Sequence, residues 1–298
     1  MLLKPKLILF ALALALVSLH ADARPYSRDR AMDVAVINNI DIAYTVAGEF
    51  DAPAVLLIMG LTGSHRLWGE DFVNGLVDAG YRVVLFDNRD TGDSARLDAL
   101  GEPTLWWEFL KNWLGFDVNA PYTLRDMATD GVQLLDSLGI DKAHIVGASM
   151  GGMIAQVIAA EHPERTATLV SIMSTTGAPH LPEASEEASQ GLTDIGGTEG
   201  DAVAALHDAG IYPEAMPRQL MAIIEAGDRS AQVATISRPT LVLHGAQDTL
   251  LPPPHGEHTH SLIEGSQYKV YEGMGHDMPE AVVPALVGDI VAHFAANP

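Results

Sequence analysis

The chain has 298 residues, 48% apolar and 19% charged, which is ordinary for a globular protein and ample for one α/β domain. Its formal net charge of -22 argues against nucleic acid and anionic membrane surfaces as partners. The absence of cysteine excludes disulfides, a thiolate nucleophile and thiolate metal ligands.

Residues 1–23 predict a secretory signal peptide. Two lysines precede an apolar run over residues 7–17, and the small-residue cleavage pattern Ala21-Asp22-Ala23 follows. We expect cleavage after Ala23, which makes the protein periplasmic or secreted, without a stable membrane anchor. The run is short for a transmembrane span, and an uncleaved anchor is the alternative.

The chain from residue 33 alternates strand and helix patterns. Two β-rich runs flank Asn38-Asn39, a pair that is typical of a tight hairpin turn. Continuous apolar runs at 54–59 and 81–86 predict buried parallel strands, with a helical pattern over 67–79 between them. This alternation predicts the α/β class, with a mostly parallel sheet flanked by helices.

An aromatic segment follows the second of these strands. Trp106, Phe109, Leu110 and Trp113 recur at helical spacing and form one stripe. The simpler interpretation is a helix that buries this stripe against the body of the protein. The alternative is an apolar wall at the substrate entrance, with Trp106, Phe109 and Trp113 as substrate-binding residues, because aromatic side chains recur at such sites.

A glycine-rich turn, Gly147-Ala148-Ser149-Met150-Gly151-Gly152, lies between an apolar strand pattern and a helix pattern. Ser149 has glycines two residues to either side, which is the pattern of a nucleophile elbow. The glycines are needed because so sharp a turn leaves no room for a Cβ opposite the serine. The turn and its context predict Ser149 as a nucleophile. Upstream, Thr123 and Asp126 predict a capped helix that runs to Leu138.

The regular alternation loosens between residue 174 and about residue 237. Helix-breaking residues at 179–182 and 191–200 interrupt this segment, and helices are predicted near 202–209 and 217–226. Because the segment is too short to bury a core of its own, it predicts a helical lid inserted into a domain that spans residues 24–298.

A serine nucleophile requires a general base and an acid that orients the base. In this architecture the two follow the serine along the chain in the order carboxylate, histidine. Asp248 follows an apolar strand pattern that ends at Gly245, and His276 follows one that ends at Tyr271. Residues 174–180 hold no acidic side chain, so Asp248 is the predicted acid. Asp277 is expected to point elsewhere.

Two backbone N–H groups are predicted to bind the oxyanion. One is the N–H of Met150, directly after the serine, and the other is the N–H of Leu61, in the loop after the first parallel strand. A hole of this kind commonly contributes about 10²–10³-fold in rate per donor.

This chemistry calls for no cofactor and no metal ion. A second kind of site is conceivable at His255-Gly256-Glu257-His258-Thr259-His260, whose side chains could bind zinc or copper. The string lacks the H-E-x-x-H spacing, and a polar helix start on the surface is the simpler interpretation.

Three segments carry a specific resemblance to a known family. They are residues 147–152, the loop Asp87-Asn88-Arg89-Asp90-Thr91-Gly92-Asp93-Ser94, and Gly273-Met274-Gly275-His276. Together they resemble the α/β-hydrolase superfamily, and most specifically its aclacinomycin methylesterase-like branch, from about residue 38 to residue 294. The resemblance implies an α/β-hydrolase fold and implies that residues 87–94 form a structural turn beside the oxyanion loop.

The sequence as a whole predicts an exported serine hydrolase that cleaves carboxylic esters through an acyl-enzyme intermediate. The expected partner is a small-molecule ester with an apolar part. A cofactor-free perhydrolase or haloperoxidase, a lactonase and a peptidase share the same triad and stay open as alternatives. A non-catalytic binding protein is the alternative from another class, and the complete triad argues against it.

Overall fold

A computed structural model describes residues 25–298, and the predicted signal peptide lies outside this described part. The strands are β1 Asp33–Ile37, β2 Ile40–Ala47, β3 Ala54–Ile58, β4 Arg82–Phe86, β5 Ala143–Ala148, β6 Thr166–Ile172, β7 Thr240–Gly245 and β8 Gln267–Tyr271. The helices are α1 Glu70–Asp78, α2 Leu105–Trp113, α3 Leu124–Ser137, α4 Met150–Glu161, α5 Glu186–Gly196, α6 Asp201–Ala209, α7 Met216–Ala226, α8 Ser230–Val233, α9 Pro254–Leu262 and α10 Val283–Ala295. Within residues 25–298, none of these helices has the length and apolar character needed to cross a membrane.

The eight strands form one sheet in the order β1-β2-β4-β3-β5-β6-β7-β8. β1 and β2 pair antiparallel, β2 also pairs antiparallel with β4, and the other neighbours are parallel. Every residue of β3, β4 and β5 is buried, because helices cover both faces of the sheet. The predicted α/β class with a mostly parallel sheet is confirmed.

Two apolar clusters form the core, one on each face of the sheet. One contains side chains of α3 and α4, among them Leu134 and Ile154. The other contains side chains of α1 and α10, among them Phe72 and Leu286. The sheet is therefore sandwiched between two helical layers, which is why its central strands have continuous apolar sequences.

Local turn and cap signals form as the sequence predicts. Asn38 and Asn39 both have positive φ, 51° and 64°, and connect Ile37 to its partner Ile40 in a two-residue hairpin. Thr123 begins α3 with a capping box, in which its side chain accepts from the Asp126 N–H and the Asp126 carboxylate accepts from the Thr123 N–H.

The helix predicted over 67–79 is divided at Gly69. Residues 65–68 form a single 3-10 turn, Gly69 adopts φ 72°, and α1 starts at Glu70. The helical pattern is real, but its first turn belongs to the loop after β3.

Residues 174–237 carry α5 to α8. The expectation that residues 191–200 break the helical pattern is wrong for its first part, because α5 runs through Gly191 to Gly196. Ser185 begins this helix and accepts a hydrogen bond from the Ala188 N–H at 3.1 Å. A cap and a first turn with two glutamates therefore outweigh the low helix propensity of one interior glycine.

The expectation that α2 buries its aromatic stripe is also wrong. Trp106, Phe109 and Trp113 are 69%, 44% and 80% exposed. The buried side chain of this helix is Glu108, which accepts from the Lys111 ammonium and from the Asn119 N–H, both at 2.8 Å. The helix is therefore anchored by a polar contact, and its aromatic face is left in solvent.

Candidate active site

Ser149 lies at a sharp turn between the end of β5 and the start of α4. Its φ is 55° and its ψ is -120°, a conformation that costs an ordinary residue about 1–3 kcal/mol. A Cβ on Gly147 would lie 2.1 Å from the Gly151 carbonyl oxygen, and one on Gly151 would lie 2.0 Å from the Ile58 carbonyl oxygen. Both glycines are thus required for the serine to stand at this turn.

The three side chains predicted as a triad lie in one hydrogen-bonded line. The Ser149 Oγ is 2.9 Å from the His276 Nε2, and the His276 Nδ1 is 2.8 Å from the Asp248 Oδ2. Asp248 follows β7 and His276 follows β8, so the carboxyl ends of parallel strands bring them to the same edge of the sheet as Ser149. This geometry allows the imidazole to accept the hydroxyl proton of the serine.

The Asp248 carboxylate is buried and fully hydrogen-bonded. Its Oδ1 accepts from the N–H groups of Leu250 and Leu251 at 3.0 and 2.9 Å. Burial acts to raise the pKa of Asp248, but the neighbouring His244 and His276 side chains outweigh it and hold that pKa well below its usual range. Asp248 is therefore an anion at neutral pH, which favours the His276 tautomer with its proton on Nδ1.

The loop Met59–Ser64, here called the oxyanion loop, passes directly beside Ser149. A Cβ added to Gly60 would lie 3.0 Å from the Cβ of Ser149. Within residues 25–298, the N–H groups of Leu61 and Met150 donate no hydrogen bond, and both residues border the same cavity as Ser149. These two donors are therefore free to bind an oxygen at the serine.

The turn at residues 87–94 forms hydrogen bonds with this loop and with the residue that follows it. The Asn88 Nδ2 donates to the Met59 carbonyl oxygen at 2.8 Å. The Asp87 Oδ1 accepts from the N–H and the Nδ1 of His65, both at 2.8 Å. The turn thus serves as a structural support beside the oxyanion loop, as the resemblance implies.

Ser149 opens into a cavity of about 480 Å³. Apart from Ser149, His276 and Asp277, the side chains that line it are apolar. The predicted lid, residues 174–237, contributes Leu192, Ile211, Leu220 and Ile223, and the remaining apolar lining includes Met59, Leu61, Leu67, Met153, Met173, Leu250, Leu251 and Met278. A cavity of this size and polarity suits a small apolar ligand with one polar group at the serine.

The aromatic residues predicted to bind substrate lie elsewhere. Trp106, Phe109 and Trp113 do not border the cavity. Their helix, α2, packs instead against α7, whose Leu220 and Ile223 form part of the cavity wall. The role of the three aromatic side chains in substrate binding therefore stays a prediction.

Asp277 borders the cavity, although we expected it to point elsewhere. Its Oδ1 accepts from the Gly275 N–H at 3.0 Å, so this carboxylate supports the turn that carries His276.

The His255–His260 string has other uses. The His255 Nδ1 lies 2.7 Å from the Thr175 Oγ1, the His258 Nε2 lies 3.1 Å from the Ser230 Oγ, and the His260 Nδ1 lies 2.8 Å from the Ser266 Oγ. In the part of the chain that the structure describes, no three His, Asp or Glu side chains are grouped to hold a metal ion.

Two polar residues near the site were missed by the sequence analysis. His244 is fully buried beneath Asp248, with its Nε2 at 3.5 Å from the Asp248 Oδ2. Gln219 of α7 is also fully buried and accepts from the Thr62 N–H at 2.7 Å. In the sequence, each of these two residues is marked only by being a polar residue within an otherwise apolar strand or helix pattern.

Comparisons with known proteins agree with this architecture. The family profile described as the alpha/beta hydrolase fold matches residues 53–208, just over half of the chain. The rhodomycin D methylesterase DauP of Streptomyces sp. (strain C5) is 30% identical over 292 residues, covering 83% of this chain and 92% of DauP. A protein named as a carbamate hydrolase, RutD of Variovorax paradoxus (strain S110), is 29% identical over 269 residues, covering 76% of this chain and 92% of its own.

Among solved structures, a hydrolase from Pseudomonas aeruginosa PA01 superposes with a TM-score of 0.68 at 21% identity, covering 88% of this chain and 98% of its own. Strand order, family profile and sequence relatives agree, and the chain therefore belongs to the α/β-hydrolase superfamily.

Proposed function

We propose that this protein is an exported serine hydrolase that cleaves carboxylic esters of small, apolar molecules. One observation carries the proposal: the hydrogen-bonded line from Ser149 through His276 to Asp248 ends at an apolar cavity of about 480 Å³. The same cavity wall contains two free N–H groups, those of Leu61 and Met150.

The mechanism follows from the positions of these groups. His276 Nε2 accepts the proton of Ser149 as its Oγ attacks the ester carbonyl, and the Asp248 carboxylate stabilises the imidazolium. The Leu61 and Met150 N–H groups donate to the oxyanion of the tetrahedral intermediate. His276 then gives the proton to the leaving alcohol, and water repeats the sequence on the acyl-enzyme to release the acid.

Carbamate hydrolysis is the second candidate, because RutD is among the relatives. The same three side chains can transfer an acyl group from nitrogen, provided that His276 protonates the leaving amine. The similarity to DauP favours the ester, since DauP is named for methyl ester cleavage and has the higher identity.

Export rests on the sequence pattern of residues 1–23 alone. The proposal predicts that the mature protein, recovered from the periplasm or the medium, begins at Arg24. N-terminal sequencing measures this directly, and an intact Met1 in a membrane fraction would contradict it.

Covalent labelling tests the nucleophile. We expect a fluorophosphonate probe to label the wild type and not Ser149→Ala, because only an activated serine attacks such a probe. Ser261→Ala, at an exposed serine of α9, is the matched control and is expected to label normally. A wild type without label would overturn the proposal.

Substrate class is tested on the same preparations. A p-nitrophenyl ester series of increasing acyl length, with a p-nitrophenyl carbamate beside it, is expected to give the highest kcat/KM for an ester. A preference for the carbamate would move the assignment to the second candidate.

A further inference from the structure

Two backbone hydrogen bonds join the lid to the oxyanion loop. The Thr62 carbonyl oxygen accepts from the Tyr212 N–H, and the Gly210 carbonyl oxygen accepts from the Ser64 N–H, both at 2.9 Å. Gly63 and Ile211 form an isolated antiparallel bridge between these two contacts. Residues 62–64 of the loop are therefore paired with residues 210–212 of the lid, which are about 150 residues distant in sequence.

Thr62 is the strained residue of this loop. Its φ is 61°, and its side chain is buried. A non-glycine residue holds such a conformation only where its surroundings fix it. Its N–H donates a hydrogen bond to the Gln219 Oε1 at 2.7 Å. Within residues 25–298, this N–H donates to no backbone carbonyl oxygen.

Both ends of the Gln219 amide are occupied. The Oε1 accepts from Thr62, and the Nε2 donates to the Arg89 carbonyl oxygen at 3.1 Å. The side chain is completely buried, so water does not replace either bond when it is lost. Gln219 thus ties the oxyanion loop to the turn at residues 87–94.

The backbone that carries Gln219 is itself anchored. The neighbouring Arg218 forms two hydrogen bonds with the Asp90 carboxylate, at 2.9 and 3.0 Å, and Tyr122 donates to the same carboxylate at 2.7 Å. Because the contacts of Arg218 fix the position of α7, they also fix the direction in which the Gln219 amide points.

The planar peptide between Leu61 and Thr62 connects this contact to the chemistry. The direction of the Thr62 N–H fixes the plane of that peptide, and with it the ψ angle of Leu61. The N–H predicted to bind the oxyanion belongs to this same residue, Leu61. A loop released at Thr62 is free to relax its positive φ and to turn the Leu61 N–H away from the reacting oxygen.

We infer that Gln219 is a positioning residue, which from the lid fixes the oxyanion loop so that the Leu61 N–H points at the carbonyl attacked by Ser149. This inference rests on the proposed ester hydrolysis. It makes α7 a part of the scaffold of the oxyanion hole, in addition to being a cavity wall.

Gln219→Met tests the inference, because methionine keeps the length of the side chain and removes both hydrogen bonds. Gln156→Met is the matched control. Gln156 is equally buried and also bonded at both ends, to Arg229 and Ser171, but neither partner belongs to the oxyanion loop or to the turn at residues 87–94. Both variants are assayed well below their unfolding temperatures with p-nitrophenyl butyrate.

The expected result is a kcat lower by roughly 10–100-fold in Gln219→Met with KM little changed, since an oxyanion donor acts in the transition state. Phenylboronic acid, whose adduct with Ser149 places an oxygen in the hole, is expected to lose affinity in parallel. Gln219→Glu keeps the acceptor for Thr62 and is expected to retain more turnover than Gln219→Met.

Equal losses of turnover in Gln219→Met and Gln156→Met would overturn the inference and leave the proposed function standing, as would a boronic acid affinity that does not change. A wild type that neither hydrolyses any ester nor binds the fluorophosphonate would overturn the proposed function and this inference with it.

Discussion

At Asp248, burial and hydrogen bonding act on the pKa of the carboxylate in opposite directions. Its carboxylate is removed from water, yet two backbone N–H groups and the His276 ring keep it charged. Its lowered pKa means that the anion persists far into acid, so the acceptor of the His276 Nδ1–H stays charged throughout the neutral range.

Replacement of Asp248 by asparagine is therefore expected to lower kcat by about 10⁴-fold, because an amide can donate to His276 and stabilise the wrong tautomer. Steady-state ester hydrolysis measures the effect. Asp136→Asn, at an exposed aspartate that pairs with Arg165, is the control and is expected to leave turnover unchanged. A loss of less than about tenfold in Asp248→Asn would contradict the role proposed for Asp248.

At the level of elements, α7 connects the cavity to the turn at residues 87–94. One side of the helix forms cavity wall through Leu220 and Ile223, and another carries the buried pair between Arg218 and Asp90. The two side chains of this pair are 1% and 0% exposed, so neither charge is compensated by water.

Arg218→Met is expected to lower the free energy of unfolding by about 3–5 kcal/mol, because it leaves the Asp90 carboxylate buried without its cation. Urea unfolding followed by circular dichroism measures the change. Arg125→Met removes an ion pair with Glu161 in which the arginine is 72% exposed, and is expected to cost less than about 1 kcal/mol. Similar costs for the two variants would contradict this account.

The exposed face of α2 leads to a different expectation. Because Trp113 is 80% exposed, Trp113→Ser is expected to change the free energy of unfolding by less than about 0.5 kcal/mol. If Trp113 also binds substrate as the sequence predicts, its replacement raises KM for long-chain esters and leaves KM for p-nitrophenyl acetate unchanged. If Trp113→Ser has the wild-type KM for long-chain esters as well as for p-nitrophenyl acetate, that role is excluded.

At the level of the whole molecule, buried and partly buried histidines contribute to the loss of stability in acid. Burial lowers the pKa values of His144, His255, His258 and His293. For His144, which stacks on Phe294 at 4.0 Å, the pKa falls to about 4. In the unfolded chain, His144 binds a proton with its ordinary pKa of about 6.5. Its contribution to the free energy of unfolding is therefore lost as the pH falls from about 6.5 to 4, and it does not change further below pH 4.

We therefore expect His144→Gln to show a smaller loss of unfolding free energy between pH 7 and pH 5 than the wild type, by about 2 kcal/mol. Urea unfolding at the two pH values measures the difference. His162→Gln, at a partly exposed histidine, is expected to retain the wild-type difference. Identical pH dependence in His144→Gln and wild type would show that His144 is not protonated on unfolding in this range.

The sequence by itself determined the strand and helix alternation, the hairpin at Asn38-Asn39, the cap at Thr123 and the turn that holds Ser149. Each of these features is encoded by residues that are close together along the chain. The signal is a hydrophobic periodicity, a helix cap, or a glycine at a position where no other residue fits. The order of serine, acid and histidine at successive strand ends was also sufficient to nominate Asp248 and His276, which the structure places within hydrogen-bond distance in one line.

Only the tertiary structure decided which face of α2 meets the protein and what supports the oxyanion loop. The stripe of α2 has the periodicity of a buried face, yet Glu108 is the side chain that packs inward. Gln219 and Thr62 are 157 residues apart, and no local pattern records their hydrogen bond. Periodicity encodes how a segment folds, whereas the partner it meets depends on how distant segments are placed by the sheet.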